Sequence, residues 1–546
     1  MKKYATLFFF LFVSALCNAQ PTVGLQQYDI PNADGYLLFS PMQSHKTFLI
    51  DKCGRKINEW TSQYNPGLGC SLLDHGILLR TGSDSLNNTF GVVGGIIEER
   101  EWNNNLIWQY KISSTLECQH HDVLQLPNGN ILAIVWELKT KPQAVSQGRN
   151  PSLTSTVVWS EKVVEIKPTG INTGNVVWEW HLWDHLGQEY DATKPNFLMI
   201  REHPELVNIN QFAGPNKPDW IHMNSLDYNP LTDQILMSAH AFQEIWIIDH
   251  STTTAEAASH SGGISGNGGD LLYRWGNPQC YNRGTAVNKK FWGQHNAQWI
   301  KPGYPNAGKI IVFNNGTNRT PVPYSTIDII DPPMDASFHY SIDTVNAFMP
   351  DTVYWNYTAS IPTDFYSPNI SGVTAVNNGS FVICEGSTGR FFEINQNKQI
   401  IWQYTNPYGL YGPTTQYSQP QQNNVFRAPY YTPSYSGFIG LTLTPGSPIE
   451  LNPISPSICD SLNVGIDQAL NDNVIFIYPN PTSGILNFNI PGGKYVSRLE
   501  LYNIYGQIIM AEENRQTLDM SALPKGIYLL RYENCHHLYS KKIIKV

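Results

Sequence analysis

Three histidines of this 546-residue chain recur at one place in a repeated pattern. His121 lies in Gln119-His120-His121-Asp122, His222 in Asp219-Trp220-Ile221-His222-Met223-Asn224, and His295 in Gly293-Gln294-His295-Asn296. His121 stands six positions before Pro127 and His295 six before Lys301; Ser371 takes the same register six before Asn377, and His222 is offset by about one. Imidazoles gathered in one pocket can do two kinds of chemistry. Three of them can hold zinc or copper with a fourth position open. Alternatively, one attacks an activated sulfuryl or phosphoryl group while protonated neighbours and amide donors neutralise its equatorial oxygens. Asn224, two residues after His222, is placed to donate such a bond, and Asp122 is the carboxylate beside the cluster. Residue types alone leave both chemistries open.

Convergence requires a fold that brings equivalent positions of distant repeats together. The repeat is a short apolar strand, a polar turn, a second strand, and then an aromatic strand. One copy runs through Leu124-Gln125-Leu126, Pro127-Asn128-Gly129-Asn130 and Ile131-Leu132 to Val176-Val177-Trp178-Glu179-Trp180. Another runs from Val373 through Asn377-Asn378-Gly379 and Phe381-Val382-Ile383 to Ile400-Ile401-Trp402-Gln403-Tyr404. Asn-Gly between strands signals a hairpin. Six such units span 36–60, 70–110, 120–182, 222–276, 294–357 and 367–405. Radial repetition of small sheets is how a propeller buries its faces. The sequence therefore predicts an all-β protein: a six-bladed β-propeller followed by a small C-terminal β-sandwich. The segment from Asn424 to Phe438 is expected to return and close the ring. The first strand of each blade lines the central channel, so the three histidines should meet there.

Composition agrees with many short strands. Charged residues are 14% and aromatics 12%, with 42 Gly and 36 Pro to supply turns. The net charge of −9 is spread along the chain without a basic stripe, which excludes nucleic acid as an expected partner. Residues 1–19 read as a signal peptide: Lys2 and Lys3, an apolar core Leu7 to Val13, and Cys17-Asn18-Ala19 for cleavage. Eight cysteines include Cys17, and the seven left in the mature chain form no CxxC. The propeller is assigned to 20–444, a Pro/Ser/Asn-rich linker to 445–472, and the sandwich to 473–546.

Several motifs carry less chemistry. His120 is expected on the opposite side of its strand from His121 and is read as structural. His181 and His185 flank Asp184 in what reads as a loop near the pocket mouth rather than a metal pair. Gly262 to Gly269 is a glycine-rich loop with no GK[ST] after it and no helix pattern opening there, so it is a loop and not a phosphate cradle.

The tail closely resembles the C-terminal sorting domain of the type IX secretion system. The matching residues are Tyr478-Pro479-Asn480-Pro481, Leu501-Tyr502-Asn503 with Gly506, Leu523-Pro524-Lys525-Gly526-Ile527-Tyr528 and the basic end Lys541 to Val546. The resemblance implies the type IX machinery as partner and a secreted or cell-surface location. A carbohydrate-binding sandwich is the alternative.

The body, from about Gly35 to Pro407, resembles the arylsulfate sulfotransferase family, above all its exported bacterial branch. The likeness is carried by His121-Asp122 with Leu126-Pro127-Asn128-Gly129-Asn130, by Asp219 to Asn224, by Glu244-Ile245-Trp246-Ile247-Ile248-Asp249-His250-Ser251, by Tyr273-Arg274-Trp275-Gly276-Asn277-Pro278, and by Gly293 to Ala297. It implies a six-bladed propeller that moves sulfate from an aryl sulfate ester to another phenol, without the nucleotide sulfate donor and without cofactor or metal. It further implies His295 as the nucleophile that is transiently sulfated, with His222, Asn224 and His121 around the sulfuryl group. The family pattern has an arginine on the strand after the second histidine, where this chain has His240 in Ser238-Ala239-His240-Ala241-Phe242. Histidine carries charge only when protonated, whereas arginine always does. His240 and, as a substitute cation, Arg274 are therefore the expected donor-binding residues. Two other readings stand beside this one: a metal-dependent propeller enzyme using the same histidines as ligands, and a non-catalytic surface propeller that binds sulfated or aromatic ligands or a protein.

Overall fold

The computed structural model describes residues 22–29, 35–91, 94–154, 156–211, 217–343, 347–453, 459, 476–489, 496–503, 507–534 and 537–546. The expected signal peptide and most of the expected linker lie outside the described residues. The chain divides into two compact units, up to residue 454 and from residue 455 on.

The first unit is a ring of six antiparallel sheets. Blade 1 contains Tyr36–Phe39, Lys46–Asp51 and Lys56–Thr61. Blade 2 is Pro66–Leu72, Leu78–Ser83, Gly95–Arg100 and Leu106–Lys111. Blade 3 is Glu117–Gln125, Ile131–Thr140, Val157–Gly170 and Thr173–His181. Blade 4 is Met223–Asn229, Gln234–Ala239, Glu244–Asp249 and Tyr273–Trp275. Blade 5 is His295–Trp299, Ile310–Asn314, Thr326–Ile330 and Trp355–Tyr357. Blade 6 is Gly372–Ala375, Phe381–Glu385, Arg390–Ile394 and Ile400–Thr405.

Two pieces of chain close the ring. Tyr430–Tyr431 pairs with Tyr36–Phe39 and supplies the innermost strand of blade 1, as the return of 424–438 requires. Gly24–Tyr28 pairs with Ile400–Thr405 and adds a fifth strand to the outer edge of blade 6, which the repeat pattern does not signal. Both ends of the propeller are thus held by sheet hydrogen bonds to a distant part of the chain.

The middle strands are mostly buried, wholly so in Gln234–Ala239 and Glu244–Asp249, because neighbouring blades cover both faces. This is why they read as continuous apolar runs rather than alternating ones. Apart from the buried Tyr273–Trp275, the outer strands are half-buried, and their repeated tryptophan has a definite task. Indole N–H groups donate to the next blade: Trp60 to the Glu101 carbonyl at 2.9 Å, Trp108 to Thr173 at 3.0 Å, Trp178 to Thr252 Oγ1 at 3.2 Å, Trp275 to Pro350 at 2.7 Å and Trp402 to Lys52 at 2.7 Å. The aromatic repeat of the sequence is therefore an inter-blade clamp. The predicted hairpin turns hold as well, with Gly129 and Gly379 each at φ 84°, a left-handed conformation that glycine adopts freely.

The second unit is a two-sheet sandwich. Phe476–Tyr478, Ile485–Asn489 and Thr517–Asp519 form one sheet; Val496–Tyr502, Ile508–Arg515, Gly526–Asn534 and His537–Lys545 form the other. Leu486 and Phe488 from the first pack with Leu501, Leu530 and Ile543 from the second in one core. Among the described residues, no helix is long and apolar enough to cross a membrane.

Candidate active site

One irregularity, repeated in successive inner strands, builds the site. In blade 3 the pairing runs Gln119↔Val135 and then Val123↔Ala133, so His120, His121 and Asp122 stand opposite a single residue. Blade 4 skips between Met223↔Ala239 and Leu226↔Met237, and blade 5 between His295↔Phe313 and Gln298↔Ile311. A left-handed residue sits in or beside each bulge: His121 at φ 53°, His222 at φ 57° and Asn296 at φ 55°. Bulges break the alternation of a strand and re-aim its side chains. His120 shows the consequence. Strict alternation would place it opposite His121, but across the bulge the two Nδ1 atoms lie 2.8 Å apart, with His120 packed on Trp136 behind His121. Its reading as a residue facing away is corrected accordingly.

The sequence-predicted imidazoles come together. Ring centroids are 4.7 Å apart for His121 and His222, 5.2 Å for His222 and His240, and 5.2 Å for His240 and His295. Phe426, from the return segment, lies 6.3 Å from His295 and 5.8 Å from His121. Four imidazoles and one phenyl ring thus form a closed circuit.

Hydrogen bonds fix the state of each ring. Asn315 Nδ2 donates to the carbonyls of Ser367 and Ile370 at 2.8 and 2.9 Å, so its Oδ1 is the atom that faces His295 Nδ1 at 2.7 Å. The Gly293 carbonyl lies 3.2 Å from the same nitrogen. Two acceptors at Nδ1 place the proton there and leave Nε2 with its lone pair. Burial, with the nearby charges of His222 and Arg427, pushes the His295 pKa down to about 4, against the pull of its bonds to Asn315 and Gly293. His222 goes the other way. Its depth in the channel disfavours charge, but the Asp219 carboxylate, 2.5 Å from Nδ1, and Glu161 raise its pKa above the ordinary imidazole value. Burial and the other imidazoles hold His121 and His240 well below that value. The cluster therefore holds an imidazole disposed to be charged and one disposed to be neutral, with His240 between them.

Behind His121 runs a buried chain. His120 Nε2 lies 2.8 Å from Glu161 Oε2, and Glu161 Oε1 accepts from the Met223 amide at 2.9 Å. Burial raises the Glu161 pKa well above the carboxylate range and lowers that of His120.

The remaining expected site residues divide. Asn224 donates from Nδ2 to the Gln294 carbonyl at 2.8 Å and its buried Oδ1 has no partner, so it ties blade 4 to the segment carrying His295. Asp122 is fully engaged: Oδ1 accepts from the Val123 amide and from Arg427, and Oδ2 from the Leu226 amide at 3.0 Å. Arg274 is not brought to the cluster. It lies on the outer strand of blade 4, wholly buried, paired with Glu244 at 2.6 Å and donating to the Leu206 carbonyl at 3.0 Å. Its guanidinium is committed to that carboxylate and those carbonyls, which corrects the expectation that it binds donor. Ser371 is also structural, its hydroxyl bonded to Ser367 Oγ and accepting from the Gly386 amide.

Three contributors were not foreseen. Phe426 and Arg427 arrive on the return segment, outside any repeat, so no register betrays them. Asn296 follows His295 directly: its Oδ1 accepts from the Val373 amide at 2.9 Å, leaving Nδ2 as a buried donor without a partner. Asp219 was legible only as a carboxylate three positions before His222.

A closed six-bladed propeller with facing imidazoles on its inner strands defines the class. The model of the family Arylsulfotransferase (ASST) matches residues 45–427, more than half of the chain, and the chain belongs to that family. The model of the secretion system C-terminal sorting domain matches residues 476–546, which marks the chain for export by the type IX route to the cell surface or beyond. No curated protein matches the chain. Similar solved structures include a protein of unknown function from Bacteroides caccae, 10% identical, covering 73% of this chain and 98% of that chain with a TM-score of 0.40. A streptogramin B lyase is 11% identical, covering 75% of this chain and 97% of that chain with a TM-score of 0.34. These likenesses carry no argument about the reaction.

Proposed function

We propose that the chain is an aryl-sulfate sulfotransferase that moves a sulfuryl group from a phenolic sulfate ester to a phenolic acceptor through a sulfated His295, without a nucleotide sulfate donor. The observation that carries this reading is the circuit of His121, His222, His240 and His295 rings, in which a carboxylate, Asp219, backs His222 Nδ1 and an amide oxygen, Asn315 Oδ1, backs His295 Nδ1.

In the first step the lone pair of His295 Nε2 attacks sulfur. The bond from sulfur to the aryl oxygen breaks, and the departing phenolate takes the Nε2 proton of charged His222. The Asp219 carboxylate at Nδ1 keeps that ring in the orientation and charge state of an acid. In the second step the acceptor phenol attacks the sulfuryl group on His295. Its proton passes to His222, now neutral, and the nitrogen–sulfur bond breaks to restore both rings. His121 and the unpartnered Asn296 Nδ2 are the donors assigned to the equatorial oxygens. Arg427 supplies the nearby fixed positive charge.

The rival use of these histidines, a shared metal, is less favoured by geometry. The rings contact one another in sequence, whereas the described set whose ligand atoms lie within 4.8 Å of one another is elsewhere. Release of phenol from a nitrophenyl sulfate, with and without added phenol, tests the proposal. Acceptor-dependent turnover that survives a chelator and is lost in His295→Ala supports it; absence of turnover between pH 5 and 9 overturns it.

A further inference from the structure

The most convergent set of ligand atoms in the described residues lies outside the channel, and the proposed sulfuryl transfer does not use it. His185, His260 and Asp270 each offer one ligand atom, all within 4.8 Å of one another. His185 follows the outer strand of blade 3, and His260 and Asp270 lie in the loop that precedes the outer strand of blade 4. Both imidazoles aim at one carboxylate oxygen: Nδ1 of His185 is 2.7 Å and Nδ1 of His260 is 2.8 Å from Asp270 Oδ1.

Hydrogen bonding around the set fits a ligand role. His185 Nε2 lies 2.8 Å from the Ala257 carbonyl, which can only accept. The neutral ring therefore carries its proton on Nε2 and turns a bare Nδ1 toward a bare carboxylate oxygen. Two lone pairs at 2.7 Å repel unless a proton joins them or a metal ion binds both. A ring nitrogen spent on a backbone carbonyl is also the usual support of a metal-bound histidine. Trp180 stacks on His185 at 5.7 Å, and its indole N–H donates to the Gly269 carbonyl at 2.7 Å, which holds the backbone just before Asp270. Gly269 leaves no room for a side chain: a Cβ there would stand 2.0 Å from the Ala257 carbonyl oxygen and 2.6 Å from His185 Nε2. The glycine-rich stretch 262–269, with no phosphate to cradle, thus lets the loop close on His185. Three ligands around zinc at ~2.0–2.1 Å stand roughly 3.3 Å apart, so each imidazole must withdraw by about half an ångström. His260 can do so readily, since its side chain is 62% exposed.

We propose that His185, His260 and Asp270 form a zinc site that staples the loop 250–270 of blade 4 to the segment following blade 3. Two imidazoles and one carboxylate are an established zinc donor set, one that also serves iron(II). His260 and Asp270 also line a cleft of about 590 Å³, together with Leu206, Tyr340 and Phe348.

The test uses the tag-free full chain, stripped with chelator and titrated with zinc and, separately, with cobalt(II). The expected result is one zinc per chain, a visible cobalt spectrum of tetrahedral type, and a zinc-dependent rise in melting temperature. In His260→Ala, whose exposed side chain can be removed without harm to the core, affinity should fall at least roughly 100-fold and the melting temperature should cease to respond to zinc. Aryl sulfate turnover of that variant should match the parent. His185→Gln provides a second, independent loss of affinity. Binding of zinc that is undiminished in both variants, or absence of stoichiometric zinc in the parent, overturns the site; in the latter case the contacts of His185 to Asp270 and the Ala257 carbonyl are hydrogen bonds alone.

Discussion

His222 Nδ1 stands 2.5 Å from Asp219 Oδ2, and this contact raises the pKa of His222 while the neighbouring rings His121, His240 and His295 are held low. Replacing the carboxylate by an amide should reverse that. In Asp219→Asn the His222 pKa falls, so the charged fraction at neutral pH falls with it. If His222 is the acid, kcat/KM for an aryl sulfate declines as pH rises through the His222 pKa, and Asp219→Asn moves that decline acidward by about 1 unit or more. A pH profile of kcat/KM measures it. A profile that does not move would remove His222 from the acid role.

The opposite limb belongs to His295. Its pKa is held at about 4, so the nucleophile is neutral at every ordinary pH and becomes protonated only as pH falls through that value. Activity should therefore persist to about pH 5 and disappear below about 4. Asn315→Asp adds a carboxylate at Nδ1, raises the His295 pKa and should bring the acid limb up toward neutrality. Acid denaturation is separated from this effect by monitoring tryptophan fluorescence over the same range.

His240 occupies the place where the family pattern carries a fixed cation. Burial, His295 and His222 keep it neutral, so it gives the donor sulfate no charge at neutral pH. His240→Arg should lower KM for a nitrophenyl sulfate several-fold at pH 7. The added charge beside His222 should also shift the alkaline limb to lower pH. A KM unchanged in His240→Arg would mean that Arg427 already supplies the anion site.

Arg274 is a structural residue, and its removal should show as stability rather than as substrate affinity. Arg274→Ala strands the Glu244 carboxylate in a wholly buried setting, at a cost of about 3–5 kcal/mol. Chemical denaturation should register that loss. KM for the aryl sulfate, measured on the folded fraction at low temperature, should not change; a selective rise in KM would return Arg274 to the site.

The blades and three of the channel imidazoles were legible because a propeller writes each blade as a repeat and aligns equivalent positions on its axis. Asn-Gly turns and aromatic outer strands carry that signal locally. What was not legible came from two sources. Bulges shift register by one or two residues, so simple alternation misplaced His120. Segments outside the repeats, such as Phe426-Arg427 and the N-terminal strand Gly24–Tyr28, reach their places through long-range pairing that no local spacing encodes. Arg274 was misjudged for a related reason: its motif is specific, but its partner Glu244 sits thirty residues away on the neighbouring strand.

The clamp between the last blade and the first is the most consequential of the inter-blade tryptophans. Trp402 donates to the Lys52 carbonyl at 2.7 Å, and its ring covers the Lys52 ammonium at 3.9 Å while that ammonium pairs with Glu393 at 2.9 Å. A buried ion pair is tolerable only when its hydrogen bonds are complete and water is kept out. Trp402→Phe keeps most of the apolar surface but takes away the donor and part of the cover over the ammonium. The expected cost is about 2–4 kcal/mol, a lost hydrogen bond together with weaker shielding of the pair. Trp108→Phe removes a clamp of the same kind between blades 2 and 3, without an ammonium beneath it, and should cost about 1–2 kcal/mol. Urea midpoints of the propeller transition measure both. A larger loss at Trp402 than at Trp108 locates the vulnerable seam of the ring where chain closure occurs; equal losses would mean that each clamp acts only through its own hydrogen bond.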